Sequence, residues 1–97
     1  MIVRETETFR AWIKNLRDER AQSRVNIRIR RLSLGNVGDS KSVGEGVSEL
    51  RIDYGPGYRV YFTRRSDELV ILLAGGDKST QERDIQTAKA LAKDLED

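Results

Sequence analysis

The chain has 97 residues, 37% of them apolar and 35% charged, with a net charge of +2. That length suits one domain with a single modest core. With no cysteine and no histidine, a disulfide framework and the usual zinc ligands are excluded, and so is the side chain best suited to proton transfer near neutral pH. No signal peptide or long apolar run is apparent, so the expected location is the cytoplasm, without membrane insertion. The charge is uneven: residues 1–35 carry nine Lys/Arg against four Asp/Glu, whereas residues 68–97 carry four against seven. A basic half suits a polyanion or an acidic partner.

Ile2 and Val3 open a short strand ending near Glu5. Thr6 or Thr8 then caps a helix whose apolar face is Phe9, Trp12, Ile13 and Leu16, at i, i+3, i+4 and i+7. Asp18 caps a second helix from Glu19 to Leu34, with Ala21, Val25, Ile29 and Leu32 as its buried stripe and Gly35-Asn36 as its stop. The two helices form a helical hairpin. Beside the apolar stripe runs a second one of Arg17, Arg20, Arg24, Arg28 and Arg31. It is either a solvated flank whose stems cover the apolar edge or a binding surface for phosphates or an acidic chain.

Residues 35–48 read as a loop with four glycines, in which Lys41 to Val43 suit a short edge strand. A hairpin follows over residues 49–62, Glu49-Leu-Arg-Ile-Asp-Tyr-Gly-Pro-Gly-Tyr-Arg-Val-Tyr-Phe62. Its flanks alternate apolar and polar residues, and the only proline sits between Gly55 and Gly57. A three-residue loop pairs Tyr54 with Tyr58, Asp53 with Arg59, Ile52 with Val60 and Arg51 with Tyr61. Leu50, Ile52, Val60 and Phe62 then face the core, and Arg51, Asp53, Arg59 and Tyr61 share the other face. Asp53–Arg59 reads as an ion pair and Arg51–Tyr61 as a cation–π contact, although fixed guanidiniums and a ring also suit RNA.

Arg65-Ser66-Asp67 makes the next turn, and Glu68 to Ala74 the next strand. That strand is apolar from Leu69 to Ala74, so both of its faces should be covered, by the last helix, a second protomer or a partner. Gly75-Gly76-Asp77-Lys78 lacks the P-loop spacing. It reads as a tight strand-to-helix turn, with anion binding at the helix start as the alternative. Ser79 or Thr80 caps a final helix with Ile85, Ala88, Leu91, Ala92 and Leu95 on its apolar face. The order β-α-α-β-β-β-α, with the short edge strand as an optional addition, gives an α+β domain over residues 1–97.

Several blocks together resemble the RelE/ParE superfamily of bacterial toxins, in particular its HigB-like addiction module killer subgroup. They are Phe9…Trp12…Leu16, Arg31-Leu32…Gly35-Asn36, Gly46-Val47-Ser48-Glu49-Leu50-Arg51-Ile52, Gly55-Pro56-Gly57-Tyr58-Arg59-Val60-Tyr61-Phe62 and Gly75-Gly76-Asp77-Lys78-Ser79-Thr80-Gln81…Asp84-Ile85. The resemblance spans nearly the whole chain. It implies a RelE-like fold, with a helical hairpin on a twisted antiparallel sheet, and a cognate antitoxin, often a helix-turn-helix protein. It also implies cleavage of mRNA on the ribosome or, in ParE-like members, inhibition of DNA gyrase.

For the ribonuclease, the resemblance makes Arg51, Arg59 and Lys78 the phosphate-binding catalytic set. Tyr54 and Tyr61 become base-stacking or ribose-orienting rings. Arg24, Arg28 and Arg31 become RNA contacts on ribosome-bound mRNA and rRNA. Neither a metal nor a cofactor is expected. Two departures from the pattern stand out: no histidine or late tyrosine serves as proton carrier, and Glu49 stands where several active relatives carry lysine. Asp53, Asp77 or a lysine remain as bases. The competing expectations are a gyrase inhibitor and a catalytically inactive homologue that binds an antitoxin.

Overall fold

A computed structural model describes residues 1–95. Strand β1 (Ile2–Glu5) leads into helix α1 (Glu7–Asn15), and helix α2 (Glu19–Ser33) follows. Strands β2 (Ser40–Gly44), β3 (Val47–Ile52), β4 (Tyr58–Ser66) and β5 (Leu69–Asp77) come next, then a single 3-10 turn (Lys78–Thr80) and helix α3 (Gln81–Asp94). The α+β architecture is as expected, and the edge strand near residue 41 is present, giving five strands in the order β1-β5-β4-β3-β2. Four neighbours alternate in direction, while β1 runs parallel to β5.

The helix starts follow from their caps. The Thr6 hydroxyl accepts from the Phe9 N–H at 3.1 Å, and the Asp18 carboxylate accepts from the N–H groups of Arg20 and Ala21. Helix α2 ends at Gly35, whose φ of 87° an L side chain resists. Arg17 lies before α2, not on its flank, so the arginine stripe begins at Arg20.

The sheet has a core on each face. Helices α1 and α2 cover one, where Phe9, Ala21, Val25 and Leu32 meet Leu50, Ile52, Tyr58, Val60, Phe62, Val70 and Leu72. Helix α3 covers the other, where Ala88 and Ala92 meet Val47, Tyr61, Leu73 and Ala74. The double covering expected of the apolar fifth strand is therefore supplied by α3.

Four further expectations are corrected. The β3–β4 register is shifted by two residues: Ile52 opposes Tyr58, Arg51 opposes Arg59, Leu50 opposes Val60 and Glu49 opposes Tyr61. Residues 53–57 form a five-residue loop, so Asp53 leaves the ladder. An even shift preserves every residue's face, which is why the inner face was still assigned correctly.

Strand β4 runs on to Ser66, so its turn to β5 falls after that residue. Strand β5 in turn continues through Gly75 and Gly76 to Asp77. These glycines are sheet residues pressed from opposite sides. A Cβ on Gly75 would lie 2.2 Å from Trp12 Cε3, and one on Gly76 would lie 1.9 Å from Asp84 Oδ2. Close approach, rather than a turn, requires glycine at both positions.

The final helix is capped differently as well. Asp77 accepts from the Ser79 N–H at 2.8 Å and starts the 3-10 turn, while the Thr80 hydroxyl donates to Asp84 at 2.6 Å.

Candidate functional site: a basic pocket at the hairpin end

Arg51, Arg59 and Lys78 come together. With Asp39, Ile52, Asp53 and the Gly55-Pro56-Gly57 loop they line one pocket of about 250 Å³. The strand ladder sets Arg51 opposite Arg59. The 3-10 turn after β5 brings Lys78 over the hairpin loop, where its chain would lie 3.1 Å from a Cβ on Gly57. Arg51 is half-buried, Arg59 is 8% exposed and Lys78 is exposed. The pocket therefore grades from a buried cation at its base to an exposed one at its rim.

Two guanidiniums facing each other across a ladder repel. Glu49 resolves the conflict. Its side chain is on the same face as Arg51, two residues earlier, and the residue is 1% exposed. Oε1 contacts Arg51 Nε at 3.1 Å and Arg59 Nε at 3.4 Å. Oε2 accepts from the Tyr61 hydroxyl at 3.3 Å and from Gln81 Nε2 at 2.7 Å.

Burial alone would raise the pKa of Glu49. The Gln81 and Arg51 hydrogen bonds and the charges of Arg59 and Arg51 outweigh it and hold the carboxyl below its ordinary value. The same burial, with the Glu49 charge and hydrogen bond, raises the Tyr61 phenol, so Tyr61 stays a neutral donor. Arg59 Nη1 also donates to the carbonyls of Gly57 and Tyr58, while its Nε is buried without a well-formed hydrogen bond.

These contacts revise the assigned roles. The Asp53–Arg59 ion pair is absent, because Asp53 sits in the loop and Glu49 takes its place beside Arg59. Arg51 turns to Glu49 rather than stacking on Tyr61. The Tyr61 ring is fully enclosed under α3 and offers no face for a base. Asp77 is committed to capping, with its Oδ1 held by Ser79. Of the proposed bases, Asp53 and Lys78 line the pocket.

The arginine stripe splits by role. Arg20, Arg24, Arg28 and Arg31, with Ser23, Ile27, Ile52 and Asp53, line a wider groove of about 610 Å³. It shares Ile52 and Asp53 with the smaller pocket. Arg24 lies over the half-buried Tyr54 ring at 4.7 Å, and the Tyr54 hydroxyl donates to Asp18 at 3.1 Å.

Arg28 is a latch. Its guanidinium donates to the carbonyls of Arg51, Val37 and Asp39, tying α2 to β3 and to the loop before β2. Gly38 leaves room for it, since a Cβ there would be 2.9 Å from Arg28 Nη2. Arg28 thus has most of its donors occupied by the fold.

Sequence reading noted Glu49 only as a departure from the active pattern and gave it no role, and it missed Gln81. The strand period was the available signal for Glu49, because it puts residues 49, 51, 59 and 61 on one face. Gln81 carried none, being brought in by the turn that follows β5.

Residues 11–95 match the family model described as phage derived protein Gp49-like (DUF891). The chain belongs to this Gp49-like family. It is a RelE/HigB-like toxin family of toxin–antitoxin modules. The Gp49-like chain is 54% identical over 93 residues to a protein of Haemophilus influenzae (strain ATCC 51907 / DSM 11121 / KW20 / Rd) described as uncharacterized. That similarity covers 96% of this chain and 94% of the relative. No solved structure matches the Gp49-like chain.

Proposed function

We propose that the chain is the toxin of a toxin–antitoxin module, of the HigB-like kind, and acts as an endoribonuclease on ribosome-bound mRNA. The observation that carries this reading is the convergence of Arg51, Arg59 and Lys78 on one small pocket. Cleavage transfers the scissile phosphate to the neighbouring ribose 2′-OH and releases the 5′-oxygen. Negative charge builds on the phosphoryl oxygens, and preorganised cations stabilise it most where water is excluded. Arg59, fixed and nearly buried, takes that role together with Arg51. Lys78, exposed at the rim, reaches the leaving oxygen. Asp53 takes the 2′-OH proton. Arg24, packed over Tyr54, and Arg31 extend the phosphate contact along the adjoining groove.

The family membership implies a cognate antitoxin, and we propose a helix-turn-helix protein for that role. No helix among the described residues is long and apolar enough to cross a membrane.

The test is induction in a bacterial host lacking the antitoxin frame, with mRNA ends mapped by primer extension. Arrest with cuts inside codons, abolished by Arg59→Ala in a chain that still folds, supports the reading. Arrest with full-length mRNA overturns it. A gyrase supercoiling assay on the purified protein then decides for or against the ParE-like alternative.

A further inference from the structure

Glu49 does not line the pocket, although both arginines that it touches do. Each of its oxygens is occupied, Oε1 by two guanidiniums and Oε2 by Tyr61 and Gln81. No lone pair is left facing a substrate, and a carboxyl held below its ordinary pKa is a poor proton acceptor at neutral pH. Its placement therefore excludes the role of general base that its type would suggest.

A carboxylate needed only to balance surface charge would stay hydrated, because burying it costs several kcal/mol in the absence of partners. This one is enclosed among four partners, three of which donate hydrogen bonds to it while the Arg59 guanidinium pairs with it by charge. Two of them, Tyr61 and Gln81, lie outside the cationic pair and fix the carboxylate from behind. Gln81 is the first residue of α3, so that helix is tied to the site through this bond.

We propose that Glu49 is the positioning residue of the site: it holds Arg51 by a hydrogen bond to Nε and Arg59 by an ion pair beside Nε, and presents both guanidiniums to the pocket in one fixed arrangement. The inference rests on the ribonuclease reading for its kinetic consequence, but the grip itself does not depend on it. Without Glu49, two cross-strand arginines repel and splay. The pocket keeps its positive charge and still attracts anions, yet no longer matches the geometry of a phosphoryl group in transit. Glu49 therefore acts on the rate of the chemical step rather than on capture of the anion.

The experiment compares the wild-type chain with Glu49→Gln and, as a milder variant that keeps the charge, Gln81→Leu. In protein labelled with ¹⁵N-arginine, the Nε–H signals of Arg51 and Arg59 should be sharp and slow to exchange in the wild type. They should broaden and exchange faster in both variants, with the backbone spectrum otherwise intact. Titration with inorganic phosphate should give an equal or lower Kd in Glu49→Gln.

On ribosomes programmed with a short mRNA, kcat should fall at least 10-fold, toward the roughly 100-fold that a misplacement of about 1 Å costs, with KM unchanged. The acid limb of the pH profile should persist in Glu49→Gln.

Unchanged Nε–H signals in both variants overturn the proposal, whatever the activity. Loss of the acid limb overturns it in favour of Glu49 as base. Loss of phosphate binding together with folding reduces Glu49 to a structural role. If the wild type cuts no mRNA, the ribonuclease reading fails, while the spectra still decide the grip.

Discussion

Gly75→Ala is the sharpest test of how the site end of the sheet is built. The added Cβ would lie 2.2, 2.4 and 2.5 Å from three atoms of the Trp12 ring, whereas ordinary contact begins at 3.4 Å. The ring must therefore retreat by about 1.2 Å at its closest atom. It has little room to do so, since its centroid lies 5.8 Å from that of Phe9 and 6.3 Å from that of Tyr58. Overpacking of this kind costs about 1–3 kcal/mol. At roughly 4–8 °C per kcal/mol for a domain of this size, a loss of about 2 kcal/mol lowers Tm by about 8–16 °C. The assay is thermal and urea unfolding followed by circular dichroism, which also serves variants without tryptophan; in chains that keep Trp12, the only tryptophan, its emission reports the same contact. In a Trp12→Leu background most of the cost should vanish, leaving a coupling of at least about 1 kcal/mol between the two positions. A Gly75→Ala protein with unchanged Tm and unchanged emission would refute the close-approach argument.

Two further outcomes follow from the electrostatics and the latch. Arg28→Ala removes charged hydrogen bonds to three carbonyls and should cost about 1.5–3 kcal/mol in urea unfolding, with faster proteolysis near Val37 and Asp39. Arg31→Ala, on the same helix but exposed, should stay within about 0.5 kcal/mol of wild type. For pH, the folded-state pKa of Glu49 is depressed below its ordinary 4.5, so its contribution is fully present above that value and is lost as acid protonates the folded carboxyl. The Nε–H signals of Arg51 and Arg59 should thus stay constant from neutral pH down to about 5 and change only below the ordinary glutamate range. A change centred near pH 6 would contradict the assignment.

Much of the fold was legible because it depends on local chemistry. Asp18 and Gly35 bracket α2, and the period of apolar residues separates helices from strands. The hairpin faces survived an error in register, since parity alone sets which way a side chain points. The register itself was not legible: Gly55-Pro56-Gly57 permits a three- or five-residue loop, and no local signal chooses between them. At the site, Arg51, Arg59 and Lys78 were reached through motif resemblance. The state of Tyr61 was not, because enclosure by α3 is a tertiary outcome. Glu49 is the instructive case. A charged residue in an amphipathic strand reads as solvent-facing, and only its three hydrogen bonds and the ion pair with Arg59 reveal that it belongs inside.

The parallel pairing of β1 with β5 carries a consequence for synthesis. The Thr6 hydroxyl bonds the Leu73 carbonyl across 67 positions of sequence, and β1 has no other strand to join. A chain emerging from the ribosome holds its first strand unpaired until residues 69–77 have been made, and such long-range closures form late. Lys78, Gln81 and α3 appear later still. Truncated or stalled chains therefore lack both a closed sheet and a complete pocket. Closure of the sheet and completion of the pocket thus wait on one segment, residues 69–81.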